Sequence, residues 1–293
     1  MEWTQCLKHA IEYTEEHLLD EVVVAEIAKE VGISPFYFQK GFKVMTGVTI
    51  SEYIRNRRLY LAALDIISGK MKMIDLAFKY GYDTPESFSR AFSRFHGVSP
   101  SQMKGDSKKI RPYLPLKITI SILGGDSMDF KIETMKAFQV VGFKRRFLFD
   151  SAYENIPLFW KEFMKSCNQG SDKMRNLIEQ CSIGEFGVCI SDETDSTGFD
   201  YMIAGAVSKE LNPNDLPDGI EIYEIPEMDW AKFRCVGPLP GALQTVNTTI
   251  FQEWLPGNHE FEIACGMNIE WYSKGDGSAQ NYESGIWVPI KRK

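Results

Sequence analysis

The run Glu26-Ile27-Ala28, Gly32, Phe38, Lys40, Phe42, Gly47-Val48 returns further along as Asp75-Leu76-Ala77, Gly81, Phe88, Arg90, Phe92, Gly97-Val98. The offset is 49 residues through the first glycine (32 to 81) and 50 beyond it (38 to 88), so one extra residue falls in the second turn and the apolar positions stay in phase. A repeat of this density marks a duplicated structural unit. In the first copy Ile27, Ala28 and Val31 form a short apolar stripe, and Gly32 stands where a helix ends in the left-handed conformation. Ser34 suits the cap and Pro35 the first position of the next helix, on which Phe38 and Phe42, four apart, share a face. Two short helices about a tight glycine turn predict a helix-turn-helix, whose second helix has the dimensions to enter a DNA major groove.

On that second helix the positions left over are Phe36, Gln39, Lys40 and Lys43, at i, i+3, i+4 and i+7. They are predicted to form one outward face, where glutamine can pair with adenine, lysine with guanine or phosphate, and phenylalanine with a thymine methyl. The second copy offers Glu86, Ser89, Arg90 and Ser93, with Arg94 beside them; Glu86 can accept from cytosine, and Arg90 is the strongest candidate for a guanine contact. A solvated polar face is the plain alternative for either helix, and the duplication argues against it.

Residues 49–68 lack proline and glycine and carry Ile50, Ile54, Leu61 and Leu64 on one flank, which predicts one long helix between the units. At about 1.5 Å per residue some twenty residues span roughly 30 Å, near the roughly 34 Å of one DNA turn. A single chain is thereby expected to present two recognition helices to successive major grooves. Arg55, Arg57 and Arg58 lie on this spacer; Arg55 joins the DNA-facing candidates, and some of the three are expected to pair with acidic neighbours.

The segment 3–104 resembles the two-module DNA-binding domain of the AraC/XylS transcription regulators. The resemblance is carried by Ile27-Ala28, Gly32-Ile33-Ser34, Phe38 with Phe42, Tyr53-Ile54-Arg55, Ile74-Asp75-Leu76-Ala77, Gly81-Tyr82, Phe88-Ser89-Arg90-Ala91-Phe92 and Gly97-Val98-Ser99-Pro100. It implies base contacts from Phe36, Gln39 and Lys40 in the first unit and from Glu86, Ser87 and Arg90 in the second. Pro85 and Glu86 depart from the neutral polar side chains usual at those positions in the family.

The chain of 293 residues suggests two domains, with 33 Lys+Arg against 40 Asp+Glu for a net charge of −7. An acidic total argues against nucleic-acid binding, but the charge is unevenly spread. Residues 1–112 hold 16 basic and 14 acidic side chains (+2), leaving 33 − 16 = 17 against 40 − 14 = 26 (−9) for the rest. A basic footprint must therefore come from local clustering. The first residues lack a basic start followed by an apolar run, and no stretch is apolar enough to span a bilayer, so a cytoplasmic protein without a membrane partner is expected. The six cysteines form no CxxC pair and no metal-ligand spacing with the four histidines, which predicts buried thiols, no metal and no cofactor.

Residues 3–18 have an amphipathic helical pattern. From Gly105 the pattern changes, and the expected division is a double helix-turn-helix domain at 1–106, a linker at 107–127 with a short strand near 116–123, and a second domain at 128–293. Strands are predicted at 130–135, 138–147, 186–190 and 201–207, with a helix at 152–167 that turns Ile156, Phe159, Trp160, Phe163 and Met164 inward. The order recurs as strands at 220–225 and 230–236, a helix at 242–254, and strands at 260–264, 267–273 and 285–290. The fold class is thus multidomain: an all-α part followed by an α+β part of two β-α-β-β repeats with an antiparallel sheet, leaving an aromatic groove where the repeats meet.

The second half resembles the gyrase-inhibitor-like (Rob-like) effector-binding domain found attached to AraC-type modules. Ile132-Glu133, Val140-Val141-Gly142, the helix at 157–163, Tyr201, Ile225-Pro226 with Trp230 and Phe233, Ile269-Glu270-Trp271-Tyr272 and residues 282–290 carry it. Many relatives place a glutamate before Ile-Trp in the last strand, where it can pair with a cationic ligand; here Gly285 stands in that place. Glu283 and Glu270 are the substitutes within reach in sequence, and a preference for neutral ligands or altered sensing are the other readings. Trp160, Tyr201, Trp230, Glu270, Tyr272, Glu283, Gly285 and Trp287 form the candidate ligand set, each aromatic being individually more at home in a core. The favoured function is a one-component transcription regulator, not an enzyme, that binds double-stranded DNA and an amphipathic or hydrophobic effector, cations among the candidates, with RNA polymerase as a further candidate partner. A second domain working as a hydrolase through Glu270 and Tyr272, or as an inhibitor-like protein-interaction module, is the alternative.

Overall fold

The computed structural model describes residues 3–20, 24–69, 71–104, 107–118, 128–192, 195–207 and 211–293. These fall into two compact units, one gathering Trp3–Ile33 and Thr46–Ser121, the other Ser34–Met45 and Ile122–Lys293. The helices of the first hundred residues are α1 (Trp3–Glu16), α2 (Val24–Glu30), α3 (Pro35–Thr46), α4 (Ile50–Ser68), α5 (Met73–Lys79), α6 (Pro85–His96) and α7 (Pro100–Met103). Of these, α3 lies with the second unit.

In the first unit α4 is the element on which the others are placed. Thr49 opens it with a capping box, its side chain accepting from the Glu52 amide while the Glu52 carboxylate accepts from the Thr49 amide. Gly69 closes it in the left-handed conformation at φ 68°. One flank of α4 (Leu59, Ala62, Ala63, Ile66) packs against Leu76, Ala77, Phe88 and Phe92 of the second helix-turn-helix. Arg57 is buried, and its guanidinium donates from Nε and Nη2 to the two carboxylate oxygens of Glu15 at 2.8 and 2.7 Å. Burial works against that charge, but the bidentate carboxylate holds the Arg57 pKa above its ordinary value. Arg58 donates to the Leu18 and Asp20 carbonyls. Two of the three spacer arginines therefore brace the helices, and only Arg55 is exposed.

The second unit is built on a sheet of β1 (Phe130–Met135), β2 (Phe138–Leu148), β3 (Phe186–Ile190), β4 (Gly198–Ala206), β5 (Ile220–Ile225), β6 (Met228–Val236), β7 (Phe261–Ile263), β8 (Met267–Tyr272) and β9 (Glu283–Arg292). Helices α8 (Ala152–Gln169) and α9 (Asp172–Gln180) follow β2, and α10 (Gly241–Thr249) follows β6 and runs on as a π-helical stretch at Ile250–Trp254. The strand order is β1-β6-β9-β8-β3-β4-β2-β5, with β7 beside β9. The two repeats, β2-α8-β3-β4 and β6-α10-β8-β9, join antiparallel at β3 and β8. Each outer edge is taken by a strand from the other half of the sequence: β1 pairs with β6, and β5 with β2.

Side chains alternate between the two faces of a strand, and residues paired across an antiparallel ladder share a face. One face carries Val140, Val188, Met202, Trp230 and Ile269 and is a closed apolar core. The other receives the helices, with Phe159 and Phe163 of α8 against Phe147 and Phe143, and Trp254 against Phe233. Three expectations need correction. The described residues 116–118 form no strand, and the rest of that expected strand lies outside the described residues. Helix α9 was not anticipated, because Asp172–Gln180 is mostly polar and its cap, Ser171, sits in a run that resembles a loop. Met164 is 59% exposed rather than inward, one turn past the apolar stripe of α8.

Candidate functional site

Helix α6 is made by local chemistry. The Thr84 side chain accepts from the Ser87 amide, Pro85 fills the first turn, and Gly97 terminates the helix at φ 76°. Phe88 and Phe92 are fully buried, which turns Glu86, Arg90 and Arg94 to solvent. Ser89 is half-buried, and Ser87 is tied into the cap, its hydroxyl donating to the Thr84 carbonyl at 2.8 Å. The face proposed from sequence for the second unit is thus presented as one cationic edge with Glu86 at its N-terminal end.

Helix α3 is different, and the expectation of an outward face there is not met. Phe36 and Gln39 are buried at 2% and 6% exposure, and Lys40 and Lys43 are half-buried. Phe36 stands edge-on to Phe199 with ring centres 5.2 Å apart and lies 6.2 Å from Phe149. The Tyr37 hydroxyl donates to the Met267 carbonyl at 2.6 Å, Gln39 Nε2 to the Ser196 carbonyl at 3.0 Å, and Lys40 Nζ to Asn268 Oδ1 at 3.1 Å. Part of the physical reason was available in the sequence: Phe36 and Tyr37 extend the aromatic surface of the helix well beyond the Phe38 and Phe42 pair, and so wide an apolar face calls for cover on more than one side.

The effector candidates divide between the two faces of the sheet. On the helix-covered face, Glu270 Oε2 accepts from the Tyr201 and Tyr272 hydroxyls, each at 2.9 Å. Trp160 Nε1 donates to the Tyr201 oxygen at 3.0 Å, and its ring stands edge-on to Tyr272 at 5.1 Å. Burial, then the adjacent carboxylate, pushes both phenols well above their ordinary pKa, so they stay protonated donors. Gly187, paired with Glu270, makes the cradle fit, since a Cβ there would lie 2.1 Å from the Tyr201 oxygen. Trp160 and Tyr272 also wall a cavity of about 400 Å³ with Phe163, Met164, Ile178 and Lys274. Tyr272 thus links the Glu270 carboxylate to the wall of a cavity that also carries Glu179 and Glu185, an arrangement that suits a ligand with a cationic or hydrogen-bond-donating head and a hydrophobic body.

Trp230, Glu283, Gly285 and Trp287 are not part of this cradle. Glu270 is two places from Asn268 and Tyr272, whereas Gly285 and Trp287 pair with Trp271 and Ile269 and so point to the opposite face. Trp230 is wholly buried beside Trp287, Lys232 lies 4.0 Å over the Trp287 ring, and Glu283 accepts from Arg234 at 2.6 Å. Sequence reasoning missed Gly187 and Asn268, which carry no motif and matter only through their neighbours.

The family described as integron-associated effector binding protein matches residues 131–290, and the family described as helix-turn-helix domain matches residues 27–105. The transposon Tn10 TetD protein of Escherichia coli is 36% identical over 98 residues, which is 33% of this chain and 71% of that protein. The regulatory protein SoxS of Salmonella typhimurium is 35% identical over 104 residues, 36% of this chain and 97% of that protein. Among solved structures, SAV2435 bound to tetraphenylphosphonium aligns with 56% of this chain and 94% of that one at 20% identity and a TM-score of 0.43. Family membership rests on the two family matches and the curated relatives: the chain is an AraC-type helix-turn-helix transcriptional regulator whose C-terminal half belongs to the integron-associated, gyrase-inhibitor-like effector-binding proteins.

Proposed function

We propose that this regulator binds an amphipathic organic ligand through the Trp160, Tyr201, Glu270 and Tyr272 cradle and reads two successive major grooves with α3 and α6, in partnership with RNA polymerase. The carrying observation for the ligand is a single one: Glu270 is fixed by two hydroxyls at 2.9 Å, and one of those phenols, Tyr272, also walls a cavity with Trp160, Phe163 and Met164, so the acceptor is preorganised one side chain from that space. On the DNA side the support is the exposed Glu86, Arg90 and Arg94 edge of α6.

Calorimetry with hydrophobic phosphonium and quaternary ammonium ions, set against neutral aromatics of like size, tests the ligand reading. Glu270→Gln is expected to weaken the cations by about tenfold, about 1.4 kcal/mol, which lies between the roughly 1 kcal/mol of a close charge pair in water and the roughly 4 kcal/mol of one near a protein surface, and to leave the neutral compounds within about twofold. Absence of heat and of thermal stabilisation across the whole panel refutes the sensing role, and equal losses for cations and neutrals remove Glu270 as the selecting group.

A further inference from the structure

Phe36, Gln39 and Lys40 are the residues assigned to base edges in the first helix-turn-helix, yet all three are engaged by the sheet of the second unit. Gln39 and Lys40 give their donors to the Ser196 carbonyl and to Asn268 Oδ1, and Phe36 is packed between Phe149 and Phe199. Side chains so engaged are turned to the sheet, with Phe36 and Gln39 buried and Lys40 half-buried, and do not present a base-reading face. We propose that docking of α3 on β4 and β8, within the second unit, is an autoinhibitory contact: the recognition face of the first helix-turn-helix is held by the sensor sheet and must leave it before it can read DNA.

The position of the dock argues for regulation rather than a permanent core. Phe199, which packs on Phe36, and Tyr201, which donates to Glu270, are two apart on β4 and face the same way. Asn268, which accepts from Lys40, and Glu270 are likewise two apart on β8. Cys189 pairs with both Tyr201 and Asn268 across its two ladders and lies between the sites. Its thiol is pushed up to about 12 by burial, with Lys40 drawing it down and Glu270 driving it further up, so both charges reach one buried atom. The strands that build the ligand cradle therefore also build the dock, and an occupant of the cradle acts on the residues that hold α3.

The dock also has the composition of a contact that opens. Its polar part is one lysine, one glutamine and one tyrosine bonded to two main-chain carbonyls and one amide oxygen, all of which water can satisfy on release. Asn268 is wholly buried with its Nδ2 lacking a partner among the described residues, so the docked state carries an unmet polar group.

The inference rests on the reading that α3 contacts DNA, and the experiment separates the two. A site is selected from random DNA with the full-length chain, and its affinity is measured for the wild type, for the sensor-side variants Asn268→Ala and Phe199→Leu, and for the α3 variants Gln39→Ala and Lys40→Ala. Docking lowers apparent DNA affinity by the fraction of chains left undocked. Asn268→Ala, which removes the acceptor of a charged hydrogen bond, is expected to tighten DNA binding by about tenfold, and Phe199→Leu by about threefold or more. Hydrogen exchange of the α3 amides is expected to quicken in Asn268→Ala without DNA. Unchanged or weaker binding by both sensor-side variants, with their thermal unfolding preserved, overturns the proposal, as does failure of all proteins to bind any selected site. If instead the sensor-side variants tighten binding while Gln39→Ala and Lys40→Ala leave it untouched, masking stands and the base-reading role of α3 falls.

Discussion

At the scale of single residues, the same side chain takes different work according to what its neighbours leave undone. Arg55, Arg57 and Arg58 stand within four positions on one helix, yet Arg57 is buried on Glu15, Arg58 caps carbonyls and Arg55 faces water. His96 is a clear titration case. Its Nε2 lies 3.1 Å from the Leu59 carbonyl, and its Nδ1 accepts from the Arg111 amide at 3.2 Å, an arrangement that suits the neutral ring with hydrogen on Nε2. Burial lowers its pKa from the ordinary 6.5, with nearby Arg111 adding to the effect and the Leu59 carbonyl opposing it. Between that lowered value and 6.5 the unfolded chain binds more protons, so stability rises with pH through the window and is fully present above 6.5. The expected result is an imidazole that titrates below 6.5 by NMR, together with a fall in unfolding midpoint on acidification that His96→Gln reduces. An imidazole midpoint at or above 6.5 contradicts it.

At the scale of elements, the two helix-turn-helix copies show how far a shared pattern fixes a helix and how little it fixes its surroundings. Both place glycine in the left-handed turn, Gly32 at φ 69° and Gly81 at φ 79°, and both put paired phenylalanines inside. They part at the outer face, aromatic on α3 and charged on α6. The spacer helix α4 owes its start to a local device, the Thr49 and Glu52 capping box. Thr49→Ala removes one half of it and is expected to destabilise the first unit by about 1 kcal/mol. Denaturant unfolding of the full chain reads this as a lower midpoint with an unchanged slope; an unaltered midpoint means the cap adds nothing to α4.

At the scale of the whole molecule, sequence preference and electrostatic affinity are expected to separate. On the proposed reading of α6, the exposed Arg90 meets a base edge and the exposed Arg94 a phosphate. Arg90→Ala is expected to cost about 1–3 kcal/mol on the preferred site and to relax discrimination at one base pair. Arg94→Ala is expected to weaken every sequence alike and to reduce the salt slope by about one. Titrations on the selected site and on a scrambled duplex at several salt concentrations distinguish them, and equal losses for both variants on both duplexes refute the division into reading and positioning residues. The acidic balance of the C-terminal half, −9 against +2, makes this salt dependence a local property of the α6 edge rather than of total charge.

The sequence alone determined the duplicated helix-turn-helix, the long helix between the copies and the two β-α-β-β repeats, because each is written in short-range periodicity: 3.6 for helices, 2 for strands, and glycine or a capping side chain at the ends. It also named four of the cradle residues, since Trp160, Tyr201, Glu270 and Tyr272 stand out as aromatic and acidic positions on elements expected to converge. What only the tertiary structure decided was which of the candidates meet. Glu270 joins Tyr201 while Trp287 and Gly285 turn away, because the strand register sets the face and register is a property of pairing across the sheet. The fate of α3 was decided the same way: Phe36 and Tyr37 give it more aromatic surface than its own helix-turn-helix covers, but only the packed sheet, with Asn268, Phe199 and the Met267 carbonyl in place, supplies the surface that receives it.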